Sequence, residues 1–134
     1  MRFLCATVFC AAAVSLAGCS AGGSNAPPTA PVKGAVNLDG KPMGGGEVRF
    51  TVPGQPPKSA PVTDGTFAGE AFVGKNSVEV VWDKDGPPNP TDPTSRMKVN
   101  AVSGKYSGPN SPFQFDIPAG GKSDFKLDVT SARK

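Results

Sequence analysis

Among 134 residues there is no histidine, which leaves the carboxylates and the three cysteines as the side chains whose spacing is worth reading first. Histidine is the ordinary general base near neutral pH and the commonest nitrogen ligand for zinc. Its absence excludes His-dependent triads and His-metal centres. Asp83, Asp85 and Asp92 fall close together, and Asp83-Lys84-Asp85-Gly86 echoes the start of a calcium loop. The later oxygen ligands and the closing glutamate of such a loop are missing. The stretch therefore reads as a charged turn ending a strand, and no metal ligand, cofactor ligand or catalytic residue is assigned. A two-carboxylate glycosidase would need its pair across a cleft, which spacing cannot show. Trp82 and Tyr106 could line a ligand surface, but Trp82 shares its parity with Val78 and Val80 and is expected in the core.

The three cysteines, Cys5, Cys10 and Cys19, are explained by the first nineteen residues. Met1-Arg2 is a short positive start, and Phe3 to Ala17 is an apolar, Ala-rich run without a charge, the length of a signal-peptide hydrophobic region. It is shorter than the roughly 20 apolar residues that span a bilayer. Leu16-Ala17-Gly18-Cys19 resembles the bacterial lipobox, which implies cleavage between Gly18 and Cys19 and acylation of the Cys19 thiol. Cys5 and Cys10 would leave with the signal, so the mature chain keeps one cysteine and no internal disulfide. An acyl CH2 contributes ~0.8 kcal/mol of anchoring, so two or three chains on Cys19 would hold the protein firmly in a membrane. Ser20 follows the cysteine, and the preferred address is the outer membrane or cell membrane, with the domain in the periplasm or at the surface.

Fourteen basic against eleven acidic residues give a formal charge of +3, with the basic residues scattered singly apart from Arg133-Lys134. A nucleic-acid binder gathers such charge on one face or in a run. Nucleic acid is therefore not expected as a partner, and no small-molecule substrate is predicted.

The elements that must carry these residues are strands. Residues 19–31 hold the lipidated N-terminus and a flexible linker, SAGGSNAPPTAP, which has nothing to bury. The folded domain is expected over 32–130, with 131–134 as a tail. There the period is two: Val32, Val36 and Leu38 fall on one parity, as do Val48, Phe50 and Val52, and Val78, Val80 and Trp82. Phe113, Phe115 and Ile117, then Phe125, Leu127 and Val129, repeat the pattern. Asp39-Gly40 and Asp64-Gly65 are two-residue hairpin signals, and Pro118-Ala119-Gly120-Gly121 is expected to turn the last pair. Lys84 to Arg96, with its four prolines, reads as a long loop, after which Met97, Val99 and Ala101 could resume a strand. With 17 Gly and 15 Pro punctuating them, these strands predict an all-β, single seven-stranded antiparallel β-sandwich.

Pro31 to Val36 followed by Leu38-Asp39-Gly40-Lys41-Pro42, with the later segments in their order, resembles the transthyretin-like, carboxypeptidase regulatory-like lipoproteins of planctomycete-type bacteria. Those later segments are Val48-Arg49-Phe50, Thr63-Asp64-Gly65-Thr66-Phe67, and Gly74-Lys75 before Val78-Glu79-Val80. Lys105-Tyr106 with Ser111-Pro112-Phe113, and Phe125 to Val129, complete the likeness. The resemblance implies a prealbumin-like sandwich on a lipid anchor, with no activity generally assigned. The hydrolases built on this sandwich need histidines and a C-terminal Tyr-Arg-Gly-Ser; this chain ends Ser131-Ala132-Arg133-Lys134. The expectation is a non-enzymatic, membrane-anchored envelope module presenting loops to an unknown protein or glycan. The alternative is a periplasmic ligand or Ca2+ carrier using the carboxylates of residues 83–92.

Overall fold

The computed structural model describes residues 26–132. The signal segment, the cleavage and lipidation positions Gly18 and Cys19, most of the linker, and Arg133-Lys134 lie outside the described residues. The fold is all-β. Its strands are β1 (Thr29–Leu38), β2 (Lys41–Pro42), β3 (Glu47–Thr51), β4 (Lys58–Thr63), β5 (Thr66–Phe72), β6 (Gly74–Val81), β7 (Asp83–Pro88), β8 (Arg96–Asn100), β9 (Phe113–Ile117) and β10 (Lys122–Val129). A single 3-10 turn, Gly104–Tyr106, is the only helical piece among the described residues.

Alternation fixes which way each strand faces. In β3 and β6, Val48, Phe50, Val78 and Val80 are completely buried while Arg49 and Glu79 lie across from each other on the other face. The strands join in the order β10-β1-β5-β4-β3-β6-β9, with β2 alongside β1. Strand β4 belongs to both halves: Val62 and Thr63 pair with β5, whereas Lys58 to Pro61 pair with β3. The sheet turns its corner there and curls so that its two ends face each other. Phe115 of β9 stands edge-on to Phe125 of β10 with centroids 4.9 Å apart, and Phe50, Phe67 and Phe125 meet at 5.9 to 6.1 Å. One core results.

Both Asp-Gly turns form as expected. Leu38 pairs with Lys41 and Thr63 with Thr66, and the intervening Asp39-Gly40 and Asp64-Gly65 all have positive φ. That is the left-handed geometry whose twist matches two antiparallel strands.

Five expectations are corrected. The strand count is ten rather than seven, because the Asp-Gly turn at residue 39 creates the short β2 and the Pro-rich stretch is itself paired. Lys84 to Arg96 is not an open loop: β7 and β8 form a separate two-stranded ribbon with Asp83 opposite Asn100 and Asp85 opposite Lys98. Its prolines sit at the ribbon end and tip, where no ladder donor is required. The sheet is not wholly antiparallel, since β1 and β10 run parallel. Residues 118–121 do not close a hairpin, for β9 pairs with β6 and β10 with β1, so this turn carries the chain from one half of the curled sheet to the other. The folded part also begins earlier than the linker boundary at residue 31, because Thr29 to Pro31 pair with β5 and Ala30 is 2% exposed.

Candidate functional site

The carboxylates singled out by spacing are dispersed by the ribbon. Asp85 bonds the Lys98 ammonium on the neighbouring strand, and that bond together with the charges of Lys98 and Arg96 holds its carboxyl below the usual aspartate range. Asp92 folds the tip: its Oδ1 accepts from the Thr94 hydroxyl at 2.6 Å and the Thr94 N–H at 3.1 Å, and these bonds lower its pKa. Asp83 opens β7 and is exposed. No group of three His, Cys, Asp or Glu side chains could hold a metal ion among the described residues. The calcium-carrier expectation thus finds no converging ligand set there.

The structure presents a projecting ribbon and an open outer face of the sheet. Asn100 roots the ribbon: its Oδ1 accepts the backbone N–H groups of Trp82 and Val102, each at 3.0 Å, while the Ala101 N–H donates to the Trp82 carbonyl at 2.8 Å. Trp82 is half-buried against the core edge rather than enclosed, and the Lys84 ammonium lies 3.7 Å from its ring centroid. Tyr106 is buried and stacked on Phe113, as a core residue. Beyond this root the ribbon contributes no buried residue. Met97 and Val99, 47% and 43% exposed, are the large hydrophobic side chains left in solvent among the described residues.

The ribbon lies at the pole opposite the start of the fold. Thr29 pairs with Phe72 at one end of β1, and nine residues later Leu38 pairs with Val129 at the other, a span of about 30 Å. The far end continues through Asp39, whose carboxylate accepts the Ser131 N–H at 3.1 Å, to the Val102–Ser131 bridge and the ribbon root.

The outward sides of β10, β1, β5 and β4 line a shallow depression, open to solvent, of about 830 Å3. Its floor is low because Ala35 and Ala68 stand where larger residues would fill it. Lys33 and Lys126 flank that floor. Beneath it, Gly34 lets β1 approach β10: a Cβ there would lie 2.4 Å from the Phe125 Cβ. The sequence carried part of this signal, since Lys33 and Lys126 occupy the outward parity of their strands, but nothing in it said that those strands are neighbours.

No family model matches the chain, and no curated protein does. Among solved structures it is similar to a DUF3823 family protein from Parabacteroides merdae ATCC 43184, at 19% identity and a TM-score of 0.45 over 78% of this chain and 47% of that one. A DUF3823 family protein from Bacteroides ovatus ATCC 8483 is similar at 18% identity and a TM-score of 0.35 over 76% and 44% of the two chains. The chain spans less than half the length of either structure it matches.

Proposed function

We propose that this protein is a non-enzymatic lipoprotein of the cell envelope, anchored through Cys19, whose prealbumin-like β-sandwich holds out a binding element to an envelope protein or glycan. The observation that carries the reading is the molecule's polarity. A chain tethered before Thr29 has its ribbon at the far pole, beyond the roughly 30 Å length of β1, with Met97 and Val99 exposed on it. An exposed apolar pair on an element that adds nothing to the core is better explained by contact with a partner than by folding. Two facing halves around one core support the sandwich reading.

Two measurements test this. Labelling with a palmitate analogue and membrane fractionation of wild type and Cys19→Ala should show label and membrane retention lost in the variant; equal label in both removes the anchor. Pull-down from detergent extract should recover an envelope component with the intact chain and not with Met97→Asp/Val99→Asp. Recovery unchanged by those substitutions removes the ribbon as the presenting element.

A further inference from the structure

We infer that the outer edge of β8 is a docking site for an extended polypeptide segment of an envelope protein, which adds to the ribbon as a third strand with its apolar side chains beside Met97 and Val99. The inference rests on the envelope reading and chooses a peptide strand over a glycan as what the ribbon receives. A two-stranded ribbon standing alone is an incomplete unit, because in water three strands or a packed face are needed to hold one firmly. β7 and β8 form such a pair by themselves. Their two edges differ. On β7, Pro87 and Pro88 have no N–H to offer, which blunts that edge. β8 contains no proline, so each of its residues keeps its donor. The Ala101 N–H donates across the ribbon to the Trp82 carbonyl, and with Asp83 opposite Asn100 the alternation turns the N–H and C=O of Lys98 and Asn100 away from β7. Among the described residues no backbone group pairs with them there.

The chain just past β8 already takes a strand. The Ala132 N–H donates to the Ala101 carbonyl at 2.8 Å, the Ser103 N–H donates to the Thr130 carbonyl at 2.8 Å, and Val102 bridges Ser131 between them. Among the described residues that pairing stops at Ala101, and the open ladder begins at Asn100. A row of unpaired main-chain groups is matched by another main chain, which supplies affinity while alternate side chains supply specificity. The side chains of β8 point the same way. Met97 and Val99 stand exposed on one face, and Arg96 and Lys98 on the other, with Lys98 also holding Asp85. An added strand that alternates apolar with acidic residues covers the first pair and sets its carboxylates beside the second. The outer edges of β9 and β10 are unpaired too, but Ile117, Phe125, Leu127 and Val129 are buried and Phe113 and Phe115 pack against the core, so those strands have no apolar pair to offer. A second copy of the chain matches β8 less well, because antiparallel registers centred on Met97 or Lys98 set Lys98 opposite a positive side chain of the other copy.

The test is an NMR titration of the full chain in mild detergent with the capped peptide Thr-Val-Glu-Val-Glu-Val-Thr, its analogue N-methylated at every amide, and a neutral maltooligosaccharide. The peptide should shift the amide signals of residues 96–100 and slow hydrogen exchange at Lys98 and Asn100, while the analogue and the sugar do neither. Met97→Thr/Val99→Thr should weaken the peptide about tenfold. Both side chains are exposed, so this variant should melt with wild type and keep the Asp85 signal of an intact ribbon. No binding by the peptide, equal binding by the analogue, shifts centred away from residues 96–100, or affinity unchanged in the variant overturns the inference. Binding seen only after removal of Arg133-Lys134 overturns it in favour of the chain's own end as the third strand. A concentration-dependent dimer that is lost in the variant overturns it in favour of a second copy. A failed titration alongside an envelope component still captured through Met97 and Val99 would leave the ribbon reading standing and remove strand addition alone; loss of that capture as well removes both.

Discussion

Asn76 shows how much one polar side chain can organise. It is fully buried in β6, and its Nδ2 donates to the carbonyls of Phe72 at 2.7 Å and Gly74 at 2.8 Å, tying the turn between β5 and β6. Asn76→Ala leaves both carbonyls without that donor and should cost about 1–3 kcal/mol in urea unfolding. Gly34 illustrates a steric requirement. An added Cβ would meet the Phe125 Cβ at 2.4 Å and its carbonyl at 2.6 Å, and neither can swing away. Gly34→Ala should destabilise by about 1–3 kcal/mol and speed hydrogen exchange in β10, whereas Gly104→Ala, with open space around it, should stay within about 0.5 kcal/mol of wild type. Equal effects at the two positions would contradict the packing described for β1 and β10. Position 34 reads in the sequence only as a glycine on the buried parity; the approach of β10 that requires it comes from a partner ninety residues away.

At the scale of the element, the β7/β8 ribbon makes two predictions. Its cross-strand pair depends on an ionised Asp85, whose pKa is lowered in the fold by Lys98 first and Arg96 second. A lowered folded pKa means the stabilisation is fully present above the ordinary aspartate value of 3.8 and is lost as pH falls through the lower, folded value. Ribbon amides should therefore exchange faster, relative to core amides, as the pH drops below that value. In Lys98→Ala the Asp85 titration followed by NMR should move up toward it. An Asp85 midpoint indifferent to Lys98→Ala would deny the pair any role in solution. The second prediction concerns the core. Because residues 84–99 supply no buried side chain, replacing them with a short Gly-Ser turn that keeps Trp82 and Asn100 should shift the melting temperature by only a few degrees. A large loss would mean that the ribbon stabilises the fold and is not simply displayed by it. The period of two around Met97 and Val99 was legible in the sequence; that the Pro-rich stretch before it supplies the pairing strand was not, because Pro and Gly mask strand character until a partner fixes the register.

For the whole molecule, the anchor and the fold divide the chain's information unevenly. The proposed signal, lipobox and linker are contiguous patterns, so the sequence alone assigns Gly18 and Cys19 their roles as expectations, and fractionation of Cys19→Ala decides them. Local chemistry was equally legible in the missing histidines, the two Asp-Gly turns with positive φ, and the alternation that names Phe50, Val78 and Leu127 as core. Alternation states which face of a strand is buried, but it is silent about neighbours, since any two strands with one apolar face can satisfy it. Only tertiary structure decided that β10 runs parallel beside β1, that residues 118–121 cross between halves, and that β4 turns the sheet's corner. Those long-range pairings bring Lys33 and Lys126 to one outer sheet face and send Asp83, Asp85 and Asp92 out along a ribbon. Carboxylates close in sequence were thus spread along a ribbon, and lysines ninety-three residues apart were brought to one face, because strand pairing, unlike side-chain periodicity, is settled by the burial of the whole core at once.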